Sequence, residues 1–361
     1  MKSTKITFIF GTRPEAVKMC PLILELKKRK TVSVRVVVSG QHRELCREVL
    51  DFFGVVPDRD LDVMSHGQTL FELTEKILSK VRAELAENPP DLLLVHGDTT
   101  TAFSASLAAF YLGIRVAHVE AGLRSGELFS PFPEEFNRRA IDACSFLHFC
   151  PTEKARGNLI FEGMDENRIF VTGNTVVDAL GYTVRDLMPK PPTDEIKLLL
   201  TLHRRESRGE DMERVLRALR RAVERYENLS VLFPAHPAKE VQDATKSLSS
   251  DERIHISAPL PLAEFHRALF ESDLVLSDSG GVLEEAVSLK KPILIARKTT
   301  ERPEGIASGG VVLVGTDEDA VFSSLCELIE SPEARKMLTA DQNPFGDGHA
   351  SERIADIISA I

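Results

Sequence analysis

The stretch DLMPKPPTDEIKLLLTL, residues 186–202, decides how this chain folds. Its first ten residues, 186–195, carry three prolines and no apolar period, the composition of a linker. The next seven, IKLLLTL (196–202), form an apolar run of the kind expected for a strand covered on both faces. One series of elements therefore ends at the linker and another opens directly after it.

Upstream lie KITFIF (5–10), VSVRVVV (32–38), DLLLVHG (91–97), RVAHVE (115–120), FLHFC (146–150) and RIFVTG (168–173). Downstream, IKLLLTL is followed by LSVLFPA (229–235), RIHISA (253–258), DLVLSD (273–278), PILIAR (292–297) and GVVLVG (310–315). Helical patterns such as MERVLRALRRAVERY (212–226) occupy the intervals. Strands alternating with helices predict the α/β class, with parallel sheets and right-handed crossovers. The expected architecture is two doubly wound, Rossmann-like domains, 1–180 and 196–345, facing each other across a cleft. Residues 346–361 place Ile354, Ile357, Ile358 and Ile361 on one helical face. That C-terminal helix needs a surface to cover, and the first domain is a candidate.

With 361 residues, 28% charged and 43% hydrophobic, the chain suits two domains of ordinary soluble composition. A formal net charge of −10 with no basic tail or stripe excludes a nucleic-acid partner. It leaves room for an anionic small molecule held by a local cluster of Arg and Lys. The five cysteines show no CxxC spacing, so reduced thiols are expected rather than a zinc site or disulfides. MKSTK runs straight into a short apolar stretch, which predicts no secretory signal. No apolar run approaches the roughly 18 residues a membrane span needs, so a cytoplasmic protein without a membrane partner is expected.

Ligands of open parallel sheets bind beyond the carboxyl ends of the strands, so chemistry should lie in the loops that follow them. The first strand ends in FGTRPEAVK (10–18), where Thr12 can cap a helix whose first position is Pro14. Free N–H groups there, with Arg13 and Lys18, favour an anion. The pattern is neither G-x-G-x-x-G nor Walker A, which disfavours dinucleotide oxidoreductases and P-loop enzymes. The run after the linker ends likewise in LTLHRRESRGE (200–210), where His203, Arg204 and Arg205 follow the strand. In LVLSDSGGVLEEA (274–286), Ser279, Gly280 and Gly281 form a tight turn able to wrap a phosphate. Glu285 could accept two ribose hydroxyls, and TTERPE (299–304) adds Arg302. HVEAGLRSGELFSPFPEEFNRR (118–139) sets Glu120, Glu127, Glu134 and Glu135 among Arg124, Arg138 and Arg139. DRDLD (58–62) has the D-x-D spacing of a divalent-metal site but lies in a charged connector, and no metal is expected. His349 in NPFGDGHASER (343–353) reads as structural.

FGTRPEAVKM, SGQHREL, HGDTTTAF, the 118–139 segment, HRRES, DSGGVLEEA, TTERPE and NPFGDGHASERI occur in one order. From Phe10 to Ile354 the sequence resembles the non-hydrolysing UDP-N-acetylglucosamine 2-epimerases. The resemblance implies a GT-B fold with the sugar nucleotide in the interdomain cleft and no metal or nicotinamide cofactor. It also implies a homodimer, and an activity that interconverts UDP-N-acetylglucosamine and UDP-N-acetylmannosamine for cell-envelope polysaccharides. By motif match Arg13, Lys18, His203, Ser279, Gly280, Gly281, Glu285 and Arg302 would contact the UDP moiety, with Phe265 against the uracil. Asp98, Glu120 and Glu134 match the family's acid–base carboxylates, with Arg138 beside them and His203 at the reacting end. Bacterial relatives often bind a second sugar nucleotide as activator; Gln41 matches that pattern, whereas Glu44 and Gly67 depart from it. The rival readings are a hydrolysing relative releasing free N-acetylmannosamine, an epimerase for a modified UDP-sugar, and a non-catalytic sugar-nucleotide-binding regulator.

Overall fold

All twelve apolar runs form strands, each within two residues of its expected bounds at either end. The structure is a computed structural model of the chain. It describes every residue except Met1, Lys2, His42, His66, Lys190, Pro192, residues 203–208, Pro237, Ser247, Ser249, Ser250, Ala340, Asp341 and Ile361. Two compact units emerge, one of Met1–Ala179 with Phe345–Ile361, the other of Leu180–Pro344. The first contains β1 (Thr4–Phe10), α1 (Arg13–Lys27), β2 (Val32–Val38), α2 (Arg43–Phe53) and β3 (Arg59–Asp60). It continues through α3 (Leu70–Glu87), β4 (Leu92–His96), α4 (Thr100–Tyr111), β5 (Arg115–Val119) and α5 (Glu134–Cys144). Then come β6 (Leu147–Cys150), α6 (Glu153–Phe161), β7 (Ile169–Val171) and the start of α7 (Thr175–Thr183).

The second unit runs β8 (Ile196–Thr201), α8 (Glu210–Arg225), β9 (Leu229–Pro234), α9 (Lys239–Thr245), β10 (Ile254–Ser257) and α10 (Leu262–Glu271). It closes with β11 (Leu274–Ser277), α11 (Gly280–Ser288), β12 (Ile293–Ile295), α12 (Pro303–Ala307), β13 (Val311–Leu313), α13 (Glu318–Glu330) and α14 (Pro332–Met337). Helix α15 (Ala350–Ser359) returns to the first unit. The sheets are ordered β3-β2-β1-β4-β5-β6-β7 and β10-β9-β8-β11-β12-β13, and every strand pairing is parallel. Both orders reverse beside the first strand of the unit, between β1 and β4 and between β8 and β11. Those are the switch points of doubly wound sheets, where ligand sites form.

Packing explains the patterning. All five residues of β4 and all four of β11 are buried, as strands with helices on both faces require. Helix α8 turns Met212, Val215, Leu216, Leu219 and Val223 inward. Its outer arginines pair with α13, Arg217 Nε lying 2.8 Å from Glu318. Helix α15 packs on α1, burying Ile354 and Ile358, and Arg29 pairs with Asp356 at 2.8 Å. Asp178 of α7 accepts the Ala350 and Ser351 N–H groups, at 3.2 and 2.7 Å, and so caps α15 from another helix.

One element differs from the sequence reading. DRDLD is not a bare connector but the edge strand β3, paired with β2. Asp58 accepts the Val36 N–H at 2.7 Å, and Asp60 accepts the Asp62 N–H at 2.9 Å while pairing with Arg43 at 3.0 Å. These carboxylates close backbone groups at the sheet edge. Among the described residues no three His, Cys, Asp or Glu are grouped to hold a metal ion.

A polar hub sits inside the first unit. Asp142 of α5, fully buried, receives His118 Nδ1 at 2.6 Å and Arg124 at 2.8 Å. Burial alone would raise the Asp142 pKa, but the neighbouring charges of His118 and Arg124 outweigh it and hold the carboxyl below its usual range. A depressed carboxylate pKa contributes stability that is complete above the unfolded value of about 3.9 and is lost as pH falls through the folded one. Asp142→Asn should therefore lower stability at neutral pH by about 3–5 kcal/mol, since it removes the carboxylate that pairs with the buried Arg124 guanidinium. The gap between variant and wild-type melting temperatures should narrow below about pH 4; a constant gap would refute the charge argument. Separately, Ile354→Ala should cost about 2–5 kcal/mol in urea unfolding, whereas exposed Phe161→Ala should be nearly neutral.

Candidate active site

Parallel strands deliver all their following loops to one edge of the sheet, and the loops after β1, β4, β5 and β7 meet there. Thr12 precedes α1 as expected, but the helix starts at Arg13, with Pro14 second. The two amides ahead of it are not free for an anion. Glu15 Oε2 accepts the N–H of Gly11 at 3.0 Å and of Thr12 at 2.8 Å, and Oε1 accepts the Thr99 hydroxyl at 2.8 Å. Burial pushes the Glu15 pKa up to about 6 against the pull of those bonds. Gly11 leaves no space for a side chain, because a Cβ there would lie 1.8 Å from Ser39 Oγ. Arg13 is partly exposed, with Glu48 3.8 Å away.

Glu120 follows β5 directly and holds a left-handed backbone, φ +67°, that a non-glycine residue adopts only when its surroundings enforce it. That turn aims its carboxylate back across the strand ends. Lys18 of α1, itself buried, forms an ion pair with Oε1, and Asn174 Nδ2 donates to the same oxygen at 2.8 Å. His96 Nε2 at the end of β4 lies 3.5 Å from Oε2. Burial drives the His96 pKa down to about 4, with Glu120 opposing, so this imidazole is neutral at physiological pH. Lys18 therefore supplies the positive charge beside Glu120, and His96 does not.

Asp98, two residues beyond β4, forms an ion pair with Arg138 of α5. Asn137 Nδ2 donates to the Asp98 carbonyl at 2.9 Å. Arg138 is held in turn by Glu135 at 2.8 Å, and that carboxylate is wholly buried and also takes Arg139 at 2.9 Å and the Ser125 N–H at 3.0 Å. Underneath, His118 Nε2 is 2.7 Å from the Gly97 carbonyl, which ties the Asp142 hub to the loop carrying Asp98. Glu134 opens α5, half-buried, one turn before Arg138 and so on the same helical face. Asp98, Glu120, Lys18 and Arg138 thus gather at one sheet edge, with Glu134 on the helix that faces it. Glu127 does not join them; it is exposed and bridges Ser130 in the loop.

In the second unit, Ser279 caps α11, its hydroxyl accepting the Val282 N–H at 3.4 Å, and Gly280 and Gly281 are the first helical residues. Gly280 is required by close approach, since a Cβ there would lie 2.5 Å from the Arg302 guanidinium. Ser277 Oγ bonds Thr201 of β8 at 2.6 Å and receives the Ser279 N–H at 2.9 Å, fixing the turn at the switch point. Arg302 is buried beneath that turn, 2.5 Å from Glu284. Glu285 lies 3.4 Å from buried His266, the neighbour of half-buried Phe265 on α10. His203 lies outside the described residues, as do Arg204 and Arg205. Asn174, His96 and Glu284 were missed by the sequence reading, which did note Glu135. Asn174 follows a strand and a glycine, the one signal that marked its position.

A family model described as UDP-N-acetylglucosamine 2-epimerase matches residues 24–359. The UDP-N-acetylglucosamine 2-epimerase of Bacillus subtilis (strain 168) is 47% identical over 361 residues, covering 99% of this chain and 95% of that protein. The structure of the UDP-GlcNAc 2-epimerase from Neisseria meningitidis bound to UDP-GlcNAc is 40% identical, with a TM-score of 0.95 over 99% of this chain and 100% of that one. That of Methanocaldococcus jannaschii, in complex with UDP-GlcNAc and UDP, is 33% identical, with a TM-score of 0.88 over the same shares. This chain, in sequence and in fold, belongs to the UDP-N-acetylglucosamine 2-epimerase family.

Proposed function

We propose that this chain interconverts UDP-N-acetylglucosamine and UDP-N-acetylmannosamine without hydrolysis. The observation that carries this reading is the pairing of two carboxylates with two cations at adjacent strand ends, Glu120 with Lys18 and Asp98 with Arg138. Relatives bound to UDP-GlcNAc support the substrate. The C2 proton of the sugar has no neighbouring carbonyl to acidify it, so direct abstraction and return is implausible. In the α-gluco substrate C1–O and C2–H are trans-diaxial. A carboxylate takes the C2 proton, its bonding electrons form C1=C2, and the C1–O pair leaves with UDP. Protonation of the resulting glycal at C2 from the opposite face, with UDP returning to C1, gives the manno product. Asp98, Glu120 and Glu134 are assigned the acid–base work. Lys18, seated between Glu120 and the α1 end of the sheet, would share its charge with the departing pyrophosphate.

On the nucleotide side, Arg13, Ser279, Gly281 and His203 are assigned to the phosphates, Glu285 to the ribose and Phe265 to the uracil. Arg302 supports the Gly280 turn from below, and the helix start itself presents positive potential. No metal or nicotinamide enters any step.

The deciding experiment is NMR of the product formed from UDP-N-acetylglucosamine in deuterated water. Deuterium at C2 of UDP-N-acetylmannosamine is expected; unlabelled product would exclude elimination, and free N-acetylmannosamine would show the hydrolysing outcome. Asp98→Asn, Glu120→Gln and Glu134→Gln should each lower turnover at least about 10²-fold while UDP affinity changes far less. Glu134→Gln within a few-fold of wild type would return that residue to a solvated surface role. Arg13→Ala should weaken calorimetric UDP binding by about 1.5–3 kcal/mol, and an unchanged affinity would put the nucleotide elsewhere.

A further inference from the structure

Asn174 lies 54 residues from Glu120 in sequence, yet its side chain ends on the Glu120 carboxylate. Each polar group of this asparagine is engaged. Its side-chain oxygen accepts the Val176 N–H at 3.1 Å, capping the start of α7. That acceptor role fixes the amide orientation and turns the Nδ2 group toward Glu120 Oε1, 2.8 Å away. The backbone N–H donates to the Phe345 carbonyl at 2.7 Å.

Residues 172–178 and 345–353 are the places where the chain leaves the first unit and re-enters it, and they are stitched together. Arg353 donates to the Thr172 carbonyl at 3.1 Å, and Asp178 takes the first amides of α15. Gly173 and Gly346 pass so closely that a Cβ on either would lie 3.2 Å from the other's Cα, and both hold positive φ. Asn174 is thus anchored on both sides of its peptide before it reaches Glu120.

We propose that Asn174 is a positioning residue for the epimerase reaction, holding the Glu120 carboxylate in its left-handed perch and favouring its anionic form. This rests on the function proposed above. Lys18 from α1 and His96 from β4 also face Glu120. Lys18 supplies charge from one side; Asn174 supplies a neutral donor whose geometry is set by the backbone.

The test compares Asn174→Ala and Asn174→Asp with wild type on UDP-N-acetylglucosamine, reading kcat, KM, the pH profile of kcat, calorimetric UDP affinity and melting. Asp keeps the size and the capping oxygen of Asn, and Asn and Asp cap helices about equally well. A purely structural role therefore predicts that Asp outperforms Ala in both melting and turnover. The positioning role predicts the reverse for turnover. Asp should melt below wild type and be the slower enzyme of the two variants, because it sets a like charge against the buried Glu120 side chain. Ala should lower kcat by roughly ten-fold or more, with KM and UDP affinity within about two-fold, since a hydrogen bond to a charged group is lost. The acid limb of its kcat profile should move up by about one pH unit. An active wild type with Asn174→Asp at wild-type turnover, or Asn174→Ala with an unmoved acid limb, overturns the inference alone. A wild type silent on UDP-N-acetylglucosamine overturns the functional reading and this inference with it.

Discussion

The first unit is organised around one buried ion pair, Lys18 with Glu120, formed across 102 residues of sequence. Desolvating two such charges is unfavourable unless each is fully partnered, and removing either partner alone is far worse than removing both. The surrounding structure reads as the consequence. Glu120 accepts a left-handed backbone so that its oxygens can turn toward α1. Asn174 takes up a lone pair that Lys18 does not use. His96, buried alongside, stays neutral, which spares the site a second positive charge.

The same logic recurs at a second pair nearby. Asp98 and Arg138 meet because α5 follows a long loop after β5 and brings its first turns back over the end of β4. Glu135 and Asn137 hold that helix in place, one through the Arg138 guanidinium and the other through the Asp98 carbonyl. Below them Asp142 and His118 secure the Gly97 carbonyl. Both pairs set a carboxylate from a strand end against a cation from a helix, the arrangement on which the proposed elimination rests. Preorganised charge of this kind needs no rearrangement at the moment of reaction.

The second unit shows a different constraint, the close packing of a buried ion pair beneath the first turn of α11. Gly280 and Gly281 hold ordinary helical conformations, so neither is required by a positive φ. Gly280 is small because Arg302 lies against its Cα, and Arg302 is buried because Glu284 and Glu301 neutralise it.

Local physics made much of this legible in the sequence. Apolar runs at strand length, helical spacing between them and a proline-rich break sufficed for the α/β class and the twelve main strands, because those signals depend on near neighbours in the chain. Strand ends then indicated which loops could carry chemistry, and Glu120, Glu134 and Arg138 stood out in one of them, while Asp98 and the acid–base roles came only from the family resemblance. The two-residue strand β3 escaped because it is too short to show a period and lies among charges. The partner of Arg302 was not readable either, because sequence does not say which of two adjacent glutamates meets the guanidinium; packing paired it with Glu284. Asn174, the Asp142 hub and the partnering of Lys18 were likewise invisible. Contacts across 54 or 102 residues follow from sheet order and register, which no local period encodes, and so only the tertiary structure decided them.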